Sequence, residues 1–413
     1  MGIRVFAACG GSEIEDLTIR NNSVKNSGIG IRVNASRASD DQTDSSKINN
    51  LLIENNTIQN IYSDSDGGFG IHVQSGYSSY GDGVIRKVEI DNNDISDTGG
   101  NGIRVYLHGD DIVEEDIIIT YNTIDGTMGD AIRAHASDGN SLNKIDASYN
   151  TIRNVNDSTV PASSTLSKEL DSCKGQSENK DKKEVTTSGN VDHCAKGIRV
   201  HLGHETSVNN VSVNNNEVDL SSTNTTVTRT GIRVHTGRYS NLDSLNIGEN
   251  DVDNTNGYGI GIKVHAGRYS VIGYTNIDSN DVEYEEGSAI RLSACAFNFS
   301  DGAGSAATGV IESADIVNNI ISGNDIVNSH GIYVYTGDNC RDYTRYGGLL
   351  ENITIAYNEV QHSDYGILLE ANNAGRIDGV DISNNTLSNN ENNFGIVEDS
   401  GGEVINVTAD FTF

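Results

Sequence analysis

Gly231-Ile232-Arg233-Val234-His235 returns 30 residues later as Gly261-Ile262-Lys263-Val264-His265, and the wording around these two copies decides how the chain folds. Upstream the phrase stands at Gly2-Ile3-Arg4-Val5, Gly30-Ile31-Arg32-Val33, Gly70-Ile71-His72-Val73 and Gly102-Ile103-Arg104-Val105. It is altered at Ala131-Ile132-Arg133-Ala134 and restored at Gly197-Ile198-Arg199-Val200. Downstream come Ala289-Ile290-Arg291-Leu292, Gly331-Ile332-Tyr333-Val334, Gly366-Ile367-Leu368-Leu369 and Gly395-Ile396-Val397-Glu398. Spacings run from 28 to 42 residues, with one of 66. A phrase recurring at such intervals marks stacked repeats.

Between successive copies lies a second phrase, apolar-x-x-Asn-x-apolar. Its asparagines are read at Asn22, Asn56, Asn93, Asn122, Asn150, Asn216, Asn250, Asn280, Asn324, Asn358 and Asn385. Both phrases alternate with period 2 and so read as strands with one buried face. Gly, Asn, Asp and Ser fill the turns. No segment keeps a 3.6-residue apolar period for three turns, which excludes amphipathic helices. One rung cannot bury its own Ile and Val, but rungs stacked about 4.8 Å apart pair each strand with those above and below. The expected fold is all-β: a right-handed, single-stranded parallel β-helix (a β-solenoid) of about 12 rungs over residues 1–413. The asparagines then form an amide-to-amide ladder, which is scaffold.

The 66-residue interval contains a polar, lysine-rich stretch, 156–195, expected as a loop inserted into one rung. Cys173 and Cys194 lie inside it and are the candidates for a disulfide, which favours an extracytoplasmic setting. The five cysteines show no metal-site spacing. At the far end, Ala409-Asp410-Phe411-Thr412-Phe413 keeps the alternation but carries Asp where the ladder has Asn, as a terminal rung does. The repeat begins at Gly2, so an open edge is expected there, covered by an upstream domain, a subunit or a neighbour's end.

Composition narrows the partners. Fifty-nine acidic against 28 basic residues leave a formal charge of −31, which argues against nucleic acid or an anionic membrane surface. Asp exceeds Glu and Arg exceeds Lys, as in proteins of salt-loving organisms, although a mildly acidic secreted protein reads the same way. No apolar run reaches the roughly 20 residues of a membrane span.

On the two phrases quoted, the chain resembles the parallel β-helix repeat family across essentially its whole length. That family includes pectate-lyase-like proteins, alginate lyases, mannuronan epimerases, periplasmic copper-site maturation proteins and viral tailspikes. The resemblance implies the fold and, most often, handling of a polysaccharide along one face. The epimerases' Tyr-Gly-x-Asp-Pro-His-Asp type of signature is missing, and the only proline is Pro161, in the insertion.

In each Gly-Ile-x-Val-x strand the Ile and Val point inward, so the x positions point out. One outer column reads Arg4, Arg32, His72, Arg104, Arg133, Arg199, Arg233, Lys263, Arg291, Tyr333. The next reads Phe6, Asn34, Gln74, Tyr106, His135, His201, His235, His265, Ser293, Tyr335. Stacked cations repel unless something negative covers them. Two readings stay open: the stripe is paired within the protein, or it takes an acidic polysaccharide or glycan. For the second, the ligand contacts are Arg133, His135, Arg199, Arg233, Arg238, Arg268 and Tyr269, with Arg for carboxylate or sulfate and Tyr for stacking on a pyranose. A lyase would use His201, His235, His265 or Lys263 as base and Tyr239 as acid in a β-elimination. A hydrolase fits less well, because facing carboxylates are needed and acids enter these columns only at Glu370 and Glu398.

Asp64, Asp66, Asp110 and Asp111 are weak Ca²⁺ candidates in acidic turns without EF-hand or nonapeptide spacing, and solvated loops explain them better. Sequons such as Asn34 and Asn298 permit glycosylation. The combined expectation is an extracellular, cell-surface or virion-surface β-helix that binds an acidic glycan. Its competitors are a structural rod or assembly subunit, oligomeric by end contacts, and a polysaccharide lyase.

Overall fold

The structure, a computed structural model, describes residues 2–7, 12–35, 46–63, 67–76, 83–108, 113–137, 139–155, 196–220, 229–297, 307–325, 327–339, 348–372 and 374–410. The expected insertion, with Cys173 and Cys194, lies outside these residues, as do Asp64, Asp66, Asp110 and Asp111. Within them there is no helix, and hence none long and apolar enough to cross a membrane.

Each rung but the last contributes three strands among the described residues. In one they are Lys196–Leu202, Ser207–Asn214 and Glu217–Asp219; in the next, Arg229–Thr236 and Asn241–Gly248 lead into Asp251–Ala266. The strands of successive rungs pair in parallel, as in Ile198↔Ile232↔Ile262 and Val208↔Leu242↔Ile272, and the short strand Ala307–Thr308 folds back antiparallel on the end of Asp281–Phe297. Twelve second strands, from Glu13–Arg20 to Glu403–Asp410, form one continuous sheet. In Asp251–Ala266 and Asp281–Phe297 the third strand runs straight into the next first strand, joining the other two faces into a single sheet. The chain is thus a parallel β-helix with the register that the repeated phrases dictate; the right hand is the one that crossovers between parallel strands adopt.

Ile, Val and Leu from all three faces fill one continuous core. Ile3, Val5, Ile14 and Leu17 at the first rung, and Leu387, Phe394, Val404 and Val407 at the last, pack on it while partly exposed. The glycine of the first phrase is required by close approach. A Cβ on Gly231 would sit 2.4 Å from Cγ1 of Val252, on the third strand, and 2.6 Å from the carbonyl oxygen of Gly261.

The second phrase is a corner joining two strands, where the sequence suggests one strand. The residue before each ladder Asn is left-handed: φ is 51° at Asn92, 56° at Tyr121 and 55° at Asn318. That twist turns the Asn side chain inward. The amide nitrogen of Asn93 then donates to Asn122 Oδ1 (2.9 Å) and to the carbonyl of Ile53 (3.0 Å). The same pattern repeats from Asn22 to Asn385, with one correction. The ladder member in the ninth rung is Asn319, which accepts from Asn280 and donates to Asn358, both at 2.9 Å. Asn324 is exposed, beyond the third strand Ile320–Ser322. Ile316-x-x-Asn319-x-Ile321 and Ile321-x-x-Asn324-x-Ile326 both match the phrase. Only the first follows a left-handed residue at the end of a full second strand, Val310–Val317.

Candidate functional site

The first strands stack in the expected register. Arg133↔Arg199↔Arg233↔Lys263↔Arg291 and His135↔His201↔His235↔His265↔Ser293 stand in two adjacent columns. The columns do not make an open stripe. Arg233 keeps only 3% of its surface exposed, Arg199 and Arg291 7%, and His135 and His265 6%; Arg133, Lys263, His201 and His235 are half-buried. Arg199, Arg233, Lys263 and Arg291 are all engaged by other groups. Beside Arg199, the buried carboxylate of Asp130 lies 3.9 Å from Nη1 and also accepts from the backbone N–H of Lys196 (3.0 Å). Asp130 precedes Ala131-Ile132, outside the outward-facing columns, so alignment of the phrase does not single it out.

The imidazoles form a continuous series. His135 lies flat on Tyr106 (centroids 4.4 Å, planes 4° apart), and its Nδ1 is 3.0 Å from Nδ1 of His201. His201 stacks on His235 at 4.9 Å, His235 meets His265 edge-on at 5.0 Å, and His265 Nδ1 is 2.9 Å from the Ser293 hydroxyl. Desolvation, reinforced by Arg133, Arg199 and Arg104, pushes the pKa of His135 down to about 2. Burial likewise drives His201 and His235 far below the usual imidazole value, helped by neighbouring His and Arg side chains. These rings are neutral and hold protons weakly. A general base for β-elimination needs a pKa near the working pH, which His201 and His235 lack in this arrangement.

The exposed part of the region is the turn that follows the first strands. Tyr239 (43% exposed) and the half-buried Tyr269 adopt φ of 57° and 54° at equivalent positions and stack at 4.6 Å with planes 10° apart. Arg238 stands 4.7 Å above the Tyr239 ring and 6.0 Å from that of Tyr269; its Nη2 donates to the Tyr239 hydroxyl at 3.1 Å. Arg268 lies 5.1 Å over Tyr269, and His204 meets Tyr239 edge-on. Because the two phenol rings stack on each other, they present edges and hydroxyls along the rung axis, with guanidinium groups beside them. The pyranose-stacking role expected for Tyr269 has no free ring face between these two residues.

Farther along the same columns, Tyr333 donates to Glu370 Oε2 at 2.5 Å, and Arg291 lies 5.2 Å over the Tyr333 ring and 5.0 Å over that of Tyr335. The late acid of the column is therefore a partner of tyrosine. Among the described residues no three His, Cys, Asp or Glu side chains share a metal-sized centre. Cys295 is fully buried and disulfide-bonded.

No protein-family model matches the chain, and no curated protein matches its sequence. Among solved structures it is similar to the A-module of the Azotobacter vinelandii mannuronan C-5 epimerase AlgE6, at 10% identity and a TM-score of 0.30, over 96% of this chain and 91% of that one.

Proposed function

We propose that the chain is an extracellular β-helix that binds an acidic polysaccharide or glycan without cleaving it, and that the ligand contacts the Arg238–Tyr239–Arg268–Tyr269 corner. The observation that carries the proposal is the exposed guanidinium of Arg238 held over two stacked phenols on a chain of net charge −31. A guanidinium fixed in this way offers a planar fork for carboxylate or sulfate, while the phenol hydroxyls serve sugar oxygens. A 1,4-linked pyranose chain advances by about one rung per sugar, so neighbouring residues of a polymer meet neighbouring turns. The disulfide at Cys295 fits an oxidising compartment.

Titration of fluorescent oligouronates and sulfated glycosaminoglycan fragments tests the proposal. Arg238→Ala with Arg268→Ala weakens binding about tenfold or more and flattens its salt dependence. Unchanged affinity overturns the assignment, and absorbance from unsaturated products overturns its non-catalytic part.

A non-catalytic rod is the second reading. The engaged cations of the buried column favour it, because those groups then serve cohesion between rungs.

A further inference from the structure

Near the C-terminal end, the corner between the third strand and the next first strand opens on three successive rungs. The strands Ile320–Ser322, Glu359–Gln361 and Thr386–Ser388 end there, and the residues after them, half of them exposed, border an open cleft of about 500 Å³. Its walls carry Asp325, His362, Asp364, Asn390 and Glu391, with the exposed Val327 at its edge. The volume lies within the range of small-ligand sites.

The walls are held in place. Asn390 accepts from the backbone N–H of Ser363 (2.9 Å) and donates to the carbonyl of Val360 (3.0 Å). Asp364 Oδ2 accepts from the backbone N–H of Asn328 (2.9 Å). Behind this wall Tyr284 and Ser363, both buried, share a hydroxyl–hydroxyl hydrogen bond of 2.7 Å. His362 is anchored through Nδ1 at 3.0 and 3.1 Å from the two carboxylate oxygens of Asp325.

Charge selects the occupant. Asp325, Asp364 and Glu391 face a single imidazole, and among the described residues no Lys or Arg lines the cleft. Arg376 is the one Lys or Arg among residues 347–413, against eleven Asp and Glu. A concave surface of one sign concentrates the opposite charge. A bare divalent ion would need the oxygens to converge, and among the described residues no three acidic or imidazole groups do so. A larger cation that reaches separate carboxylates fits the spread of the walls.

We propose that this cleft binds a small ligand through a protonated amine, carried by an amino sugar or a polyamine. It stands apart from the Arg/Tyr corner in position and is opposite to it in charge preference, so either site can fail without the other.

Calorimetric titration of the full chain at about 150 mM salt, where nonspecific attraction to the acidic surface is screened, uses four probes: a chitosan tetrasaccharide, its fully N-acetylated counterpart, spermidine and CaCl₂. Either amine, or both, is expected to bind, the tighter one identifying the source, while the N-acetylated sugar and Ca²⁺ do not bind at this site. Glu391→Gln and Asp364→Asn each weaken amine binding about tenfold, and Asp16→Asn at the opposite end leaves it unchanged; thermal melting confirms that each variant is folded. No amine binding, equal affinity for the N-acetylated sugar, affinity unaltered in both cleft variants, or binding of Ca²⁺ alone overturns the proposal.

Discussion

The imidazoles of His135 and His201 face each other across a rung boundary with their Nδ1 atoms 3.0 Å apart. One Nδ1–H donates to the bare Nδ1 of the other, which requires that at least one ring be uncharged. Burial depresses both pKa values, and the arginines of the adjacent column add to the effect.

Stability is therefore expected to fall on mild acidification. A histidine whose folded pKa lies below its unfolded value near 6.5 favours the neutral form in the fold. Its contribution is whole above that value and is lost as pH falls through it, for His135 down to about 2. At pH 5 His135 alone accounts for about 2 kcal/mol, with His201 and His235 acting in the same direction. Urea unfolding at pH 7 and pH 5, compared between the wild type and His135→Gln, measures the difference. Equal pH dependence in the two proteins would contradict a neutral, buried ring at His135.

The ladder gives a contrast between two asparagines. Asn122 donates to the carbonyls of Ile90 and Thr120 and to Asn150, and its Oδ1 accepts from both the backbone and the side chain of Asn93. Asn122→Ala leaves several buried groups without partners and costs about 3 kcal/mol or more. Asn324→Ala, on an exposed residue, changes stability by about 0.5 kcal/mol or less. Comparable losses in the two variants would restore Asn324 to the ladder.

Gly231 tests the close approach of the first and third faces. Gly231→Ala forces Val252 and the Gly261 carbonyl away from the new methyl group, at a cost of about 1–3 kcal/mol. Rungs with Ala131 and Ala289 at this position have settled around the larger side chain. A neutral substitution in chemical denaturation would show that the rung relaxes freely.

Asp130 joins two buried groups. Asp130→Ala strands the Lys196 N–H and removes an anion from Arg199, and about 2 kcal/mol is expected to be lost. Asp130→Asn keeps the acceptor for Lys196 and loses less. If Asn proves as damaging as Ala, charge compensation of Arg199 is the larger part of Asp130's role.

The sequence by itself determined the repeat, its register and the identity of most ladder residues. In a parallel stack, Ile232 must lie under Ile262, and a one-residue slip would expose the whole apolar set. Such period-2 information is local and survives without coordinates. Tertiary structure alone decided between Asn319 and Asn324, since both fit the phrase and only the backbone twist at Asn318 distinguishes them. It also decided which outward residues meet solvent. Outward from the core is not the same as open to water, because exposure depends on what other segments bring over the strand. Arg199 and Arg238 look alike as letters, yet one is buried beside Asp130 and the other lies exposed over Tyr239. The cleft around His362 and Asp364 stayed hidden for the same reason: its walls come from three rungs, and no single repeat spells it out.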